Sequence, residues 1–184
     1  MMKKLPFLPL IALFLVGCVS PPKGLEKDQF TIQSFDRIEA DDYTCRCKKV
    51  RLGGKVVSAV ALKDKTKVEV LSLPISSFSA KPVLSSVTDG RFIAYLQGFV
   101  DPTGLKDQYI TVAGLLTGQE TGKVDEADYR YPVIEATAVK QWRLVQEYYY
   151  EADDWDSPFY RPFGWGWRHR SFWHAEPRVR YNLY

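Results

Sequence analysis

Between residues 50 and 144 apolar and polar side chains alternate with period two, and that spacing commits most of the chain to β-strands. In "KVRLGGKVVSAVALK" one face carries Val50, Leu52, Gly54, Val56, Ser58, Val60 and Leu62, and the other carries Arg51, Lys55 and Lys63. After a polar turn at residues 63–65, "TKVEVLSLPI" sets the β-branched Val68 and Val70 on one face of a partner strand. A turn-rich stretch, "SSFSAKPVLSSVTDG", precedes three further strand patterns, "RFIAYLQGFV", "QYITVAGLLTG" and "PVIEATAVKQWRLV". "FTIQSF" predicts an added edge strand and "EADD" a polar turn. Gly53, Gly54, Gly98 and Gly114 fall inside strand patterns, where glycine marks a bulge or tight bend. The expectation is an all-β fold, a small five-stranded OB-like barrel. A sandwich is the alternative, because spacing along a chain does not give the order of strands in a sheet.

The first residues follow other rules. Lys3 and Lys4 precede an apolar run over residues 5–16 that stops at Gly17 and Cys18. This is the layout of an export signal, whose apolar region runs about 7–15 residues. It falls short of the roughly 20 residues that a bilayer-crossing helix needs, and Pro6 and Pro9 interrupt it. No A-x-A-like cleavage site is present. Instead Leu15-Val16-Gly17-Cys18 resembles the lipobox of bacterial lipoproteins. That resemblance implies cleavage between Gly17 and Cys18, with a covalent diacylglycerol on the Cys18 thiol and an N-acyl chain on its new amine. It implies no other cofactor. Several chains hold firmly where one is marginal, since each buried CH₂ contributes about 0.8 kcal/mol. Val19, rather than an aspartate, follows the cysteine, which implies the outer membrane over the inner. The bland reading is an ordinary signal with an incidental cysteine.

The expected organisation is a signal peptide over residues 1–17, a lipidated tether over 18–28, a β-barrel domain over 29–146 and an aromatic tail over 147–184. The polar "SPPKGLEKDQ" has the composition of a tether. The whole chain carries a formal charge of +3, of which Lys3 and Lys4 supply two, so the remainder is near neutral at +1. That balance offers no basic field for nucleic acid. Three cysteines do not make a disulfide scaffold, and the sequence contains no internal repeat.

Behind the lipobox, five stretches taken in order resemble the Slp family, the starvation-inducible outer-membrane lipoproteins of Gram-negative bacteria. They are "VRLGGKV" (50–56), "LPISSFSAKP" (73–82), "GRFIAYLQGFVDP" (90–102), "YITVAGLLTGQETG" (109–122) and "YRYPVIEATAVKQW" (129–142). The resemblance spans roughly residues 35–142. It implies an outer-membrane, lipid-anchored protein whose folded part faces the periplasm, with a structural or interaction role in the envelope linked to starvation or stress. It implies no catalytic residues. The "CRC" at residues 45–47 stands outside the pattern.

Cys45 and Cys47 flank Arg46 and precede Lys48 and Lys49, a cationic setting that favours thiolate. They form a candidate disulfide, local or intermolecular, or two inert thiols. On a strand, alternate residues point to opposite faces, which opposes a local bridge. His169 and His174 do not complete a metal site, and no H-E-x-x-H, G-x-S-x-G or G-K-[ST] motif occurs. Asp101, Asp153 and Asp154 read as turn carboxylates, so no enzyme is expected. The tail is rich in aromatics and arginines, and Trp155, Trp165, Trp167 and Trp173 are candidate contacts to a membrane or glycan. Docking of the tail on its own domain and plain disorder are the competing readings. The expected partners are the membrane, through the lipid anchor, and an envelope protein or glycan of unknown identity, with nucleic acid excluded. The rival function is a binding module that holds a small ligand, glycan or lipid in the barrel or on the tail.

Overall fold

The computed structural model describes residues 20–39, 42–45, 48–149 and 177–184. The unbroken alternation of "KTKVEVLSL" becomes strand β2 (Lys65–Leu73), with Thr66, Val68, Val70 and Ser72 buried on one face. It pairs antiparallel with β1 (Lys49–Ala61) and with β3 (Gly90–Gln97). β4 (Tyr109–Val124) and β5 (Ala127–Trp142) make a long antiparallel hairpin. β5 runs parallel to β3, and β4 returns to β1, so the sheet closes on itself in the order β1-β2-β3-β5-β4. The protein is all-β, and its five main strands form one ring rather than two facing sheets.

The interior of the ring is filled by Val50, Leu52, Val56, Val68, Val70, Phe92, Ala94, Leu96, Ile110, Val112, Leu116, Ile134 and Ala136. Helix α2 (Pro102–Leu105) inserts Leu105 into this core. Its start is fixed by Pro102 and by Asp101, whose carboxylate accepts from the Thr103 N–H at 2.9 Å. Phe35, Ile38 and Tyr43 pack against the same core, Tyr43 from the short α1 (Asp42–Cys45). Two glycines sit where neighbouring strands leave no room for a side chain. A Cβ on Gly54 would lie 2.0 Å from the Leu71 carbonyl oxygen, and one on Gly114 would lie 2.0 Å from that of Glu135.

Several local expectations are corrected. A bulge between Val56 and Ser58 reverses the facing of β1 beyond it. Ala59 therefore packs on the core, while Val60 is 52% exposed and Leu62 leaves the inner face. Gly98 follows β3 at a positive φ of 75° instead of lying inside a strand. "FTIQSF" supplies only a single parallel bridge, Ile32 to Val50, before the chain turns through a 3-10 helix at Phe35–Arg37. "QETGKV" and "ADYRY", which lack clean alternation, extend the hairpin to a tight turn at Asp125 and Glu126. Thr117 is bulged out opposite β5, and the hairpin beyond it forms an arm.

The two chain termini also depart from the expected boundaries. Residues 20–33 run over the outer surface of β1, β4 and β5 as a strap. Leu25, only 1% exposed, packs with Ala80 and Ala113 in a second small core. The folded body thus begins inside the stretch expected to be tether, because Leu25 finds an apolar seat. After β5, Arg143 pairs with Tyr184 through two backbone hydrogen bonds. β6 (Leu144–Tyr149) and β7 (Arg178–Leu183) then form a separate antiparallel ribbon. The ends of the expected tail are therefore ordered against each other, while residues 150–176 lie outside the described residues.

Two outcomes follow for the non-acylated Cys18→Ser protein studied by urea unfolding. Gly114→Ala should cost about 1–3 kcal/mol through backbone overpacking, while Gly104→Ala, whose added methyl meets open space, should stay within about 0.5 kcal/mol. Leu25→Ala should cost about 2–4 kcal/mol, whereas a loose tether would give no change.

Candidate functional site

Most of the residues singled out from the sequence, Gly17, Cys18, Cys47, His169, His174, Trp155, Trp165, Trp167 and Trp173, lie outside the described residues. Cys45 is the last residue of α1. It closes a helical turn rather than sitting on a strand, so the alternating-face argument against a local bridge does not apply to it. Asp42, at the start of α1, accepts from the Glu39 N–H at 3.0 Å and lies 3.3 Å from Lys48. The Glu39 hydrogen bond above all, aided by Lys48, holds its carboxyl below the usual range against the opposing effect of burial. Asp101 is the cap of α2, a structural role. Among the described residues no group of three His, Cys, Asp or Glu side chains is placed to hold a metal.

A concave surface lined by paired charges lies where the β4–β5 arm bends over the outer faces of β2 and β3. Lys67 and Glu69 on β2, and Arg91, Ile93 and Tyr95 on β3, point outward there. Glu120 and Tyr131 sit opposite each other on the arm and reach back to them. Glu120 pairs with Lys67 and accepts from the Tyr95 hydroxyl at 2.9 Å. Glu69 accepts from Arg91 at 2.8 Å and from the Tyr131 hydroxyl at 3.3 Å. The Tyr129 hydroxyl accepts from the Arg91 backbone N–H at 2.9 Å, and the rings of Tyr129 and Tyr131 meet edge to face at 4.7 Å. Under this network Ile93 is buried although it lies on the outside of the ring. An open cleft of about 390 Å³ is left between the arm and β1–β2, lined by Ser58, Val60, Lys67, Glu69, Glu120 and Tyr131 among others.

The electrostatics show what these groups do. Burial works to raise the Glu120 carboxyl, but the hydrogen bonds from Lys67 and Tyr95 override it and hold it below its usual value. Burial and Glu120 raise the Tyr95 hydroxyl, and burial and Glu69 raise that of Tyr131. Glu69 also raises Arg91, through its hydrogen bond first and its charge second. Each charge is already matched by a neighbour, so the network fastens the arm. The sequence held a usable signal here. The outward positions of β2 and β3 carry opposite charges and a tyrosine, and the arm carries a carboxylate and two more tyrosines.

Across the ring, on the outer face of β1, β4 and β5, lies Arg51, which its place in the alternation marks only as an outward cation. It is fully buried under the strap, with Nη1 donating to the Leu25 carbonyl at 2.6 Å and Nη2 to Gln33 Oε1 at 2.7 Å. Burial lowers its basicity from the usual value. The strap is also stitched to β1 by Thr31 and Ile32 N–H groups on the Lys49 carbonyl and by the Arg51 N–H on the Ile32 carbonyl. Beside it, Trp142 Nε1 donates to Thr111 Oγ1 at 2.9 Å, and Thr111 donates to the Ala80 carbonyl at 2.5 Å. The next residue, Lys81, sits 5.5 Å from the Trp142 ring and 5.3 Å from that of Tyr184. This side therefore gathers the strap, the loop around Ala80 and the start of the β6–β7 ribbon.

Comparison with known proteins gives a consistent picture. The family model described as outer membrane lipoprotein Slp family matches residues 15–173, a wider span than the five stretches noted above and one that takes in Cys18. An uncharacterized protein of Haemophilus influenzae is 51% identical over 172 residues, covering 92% of this chain and 91% of the relative. The uncharacterized lipoprotein YeaY of Escherichia coli is 33% identical, covering 84% and 80%. The outer membrane protein Slp of Escherichia coli is 27% identical, covering 85% of each. No solved structure matches.

The arm network sets a pH dependence. A carboxyl held low in the folded state contributes stability that is present above its unfolded pKa of about 4.3 and is lost as pH falls through the folded value. Glu120→Gln should therefore cost about 0.5–1 kcal/mol at neutral pH, a modest figure because the pair is partly solvated. The difference from wild type should shrink below about pH 4 in urea titrations.

Proposed function

The chain belongs to the Slp family of outer membrane lipoproteins, and from that membership we propose that acyl chains on Cys18 hold it at the outer membrane with its β-domain exposed to the periplasm as an interaction surface. The filled interior of the ring is the observation that carries the second half of this reading. Buried side chains from all five strands occupy it, so a ligand has no room where a larger barrel would hold one. The working surface is then the outside of the ring. The arm and its cleft lie over β2 and β3, across the ring from the strap that leads back to Cys18. In this arrangement the anchored side faces the bilayer and the arm faces a periplasmic protein or glycan. A link to starvation or stress comes with the family resemblance alone, and the geometry adds nothing to it.

The anchoring half rests on Cys18, which falls inside the matched family span, follows an apolar signal and has Gly17 at the cleavage position. Intact mass and membrane fractionation of wild type beside Cys18→Ala test it directly. The wild-type chain should begin at Cys18, carry added acyl mass and sediment with the outer membrane, while the variant should lack that mass and leave the fraction. A wild-type protein without acyl mass would overturn the reading.

A further inference from the structure

The ribbon formed by β6 and β7 has two unlike faces. Leu144 with Leu183, Gln146 with Tyr181 and Tyr148 with Val179 are cross-strand pairs on one of them. Leu183 is buried at its base, but Tyr148 is 66%, Val179 42% and Tyr181 54% exposed. The other face carries Glu147, which accepts from Asn182 and Tyr184, and Arg180 stacked 4.7 Å from the Tyr149 ring. One face of the ribbon is thus satisfied internally; the other is covered at its base, where Leu183 is buried, and beyond it leaves Tyr148, Val179 and Tyr181 largely exposed, with Gln146 donating to the Tyr148 hydroxyl at 2.9 Å.

Two observations say what covers it. The first is reach. Leu25 lies seven residue steps after Cys18, so a chain acylated at Cys18 keeps Leu25 within about 25 Å of the bilayer. Leu25 packs against Ala80, Ala80 precedes Lys81, and Lys81 lies against Tyr184 at the foot of the ribbon. The short tether therefore brings this side of the ring to the membrane. The second is charge. Among the described residues, the ribbon and its foot carry Lys81, Arg143, Arg178 and Arg180 against the side-chain carboxylate of Glu147, with Arg178 and Arg180 on the face that backs Tyr148, Val179 and Tyr181. Tyrosines beside arginines suit the headgroup layer of a phospholipid leaflet, where the ring sits at the interface and the guanidinium meets phosphate. We propose that the Tyr148–Val179–Tyr181 face of the ribbon is a second bilayer contact, docking on the phospholipid leaflet that holds the acyl chains. This rests on the anchored reading above. Together the two contacts fix the orientation of the domain, with the arm turned away from the membrane.

The test uses acylated protein carrying Val179→Cys together with Cys45→Ser and Cys47→Ser. Acylation consumes the Cys18 thiol, so an environment-sensitive fluorophore reports from position 179 alone, and intact mass verifies both modifications. In vesicles of phosphatidylethanolamine and phosphatidylglycerol the emission should rise several-fold and shift to the blue, relative to the vesicle-free Cys18→Ser form. The same label at Thr121→Cys, on the arm, should not respond. Equal emission at the two positions on vesicles would overturn the proposal. So would an already blue-shifted label at 179 in the vesicle-free form, which would put residues 150–176 or a second copy on the face. Tyr181→Cys, on the same face, repeats the reading should Val179→Cys fail to fold. If the mass shows no acyl chains, the anchor fails separately. The ribbon is then read by adding vesicles to the labelled Cys18→Ser protein, where a blue shift supports it and no response at any lipid concentration counts against it.

Discussion

Closing five strands into a ring leaves an interior only wide enough for side chains, and the rest of the molecule follows from that limit. The strands must approach closely at points where no side chain fits, which is why Gly54 and Gly114 face carbonyl oxygens of the neighbouring strand. The ring must also bend, and it does so at the bulges near Val57 and Thr117. Once the interior is full, every further segment of the chain has to find its place outside. Among the described residues the strap, the loop around Ala80, the arm and the terminal ribbon do so.

These outer segments divide the ring into two chemically different sides. Over β2 and β3, the arm is held by paired charges and tyrosine hydroxyls, with Ile93 the buried exception. Over β1, β4 and β5, a small apolar core at Leu25 sits beside neutral hydrogen bonds, and Arg51, the buried cation among the described residues, is bound to a carbonyl and an amide rather than to a carboxylate. A cation so placed resists substitution by a neutral partner less than it resists losing its acceptors, because a buried unpaired charge is costly. The strap is thereby the fixed element and the arm the one whose hold varies with pH.

The fold class was legible in the sequence because alternation survives in the strands that line the core. Val68 and Val70 face inward as their spacing requires, as do Val50, Leu52 and Val56. Alternation failed where the backbone itself changes parity. Val60 and Leu62 follow a bulge that no residue type announces, so the facing assigned to them reversed. The outer half of the hairpin was missed for a related reason: with no core beneath it, "QETGKV" has no apolar face to display. Arg51 was hidden because an arginine on an outer face reads as solvated unless a distant segment covers it, and Leu25 lies 26 residues away. Cys18, the proposed anchor, is read in the opposite way. Its signal is local and chemical, a charged start, an apolar run, Gly17 and a thiol, so it needed no tertiary information.

The strap also has a mechanical meaning. A pull applied to the N-terminal end of the strap meets its first buried side chain at Leu25, reaches Arg51 through a single carbonyl and then spreads along β1 through hydrogen bonds at Lys49 and Ile32. The strap meets β1 in parallel at one bridge, Ile32 to Val50, so its three backbone bonds lie close together around that point. Leu25, seated with Ala80 and Ala113, is then the first buried contact to bear that load. From β1 the load passes to both neighbours of that strand in the ring, β2 and β4.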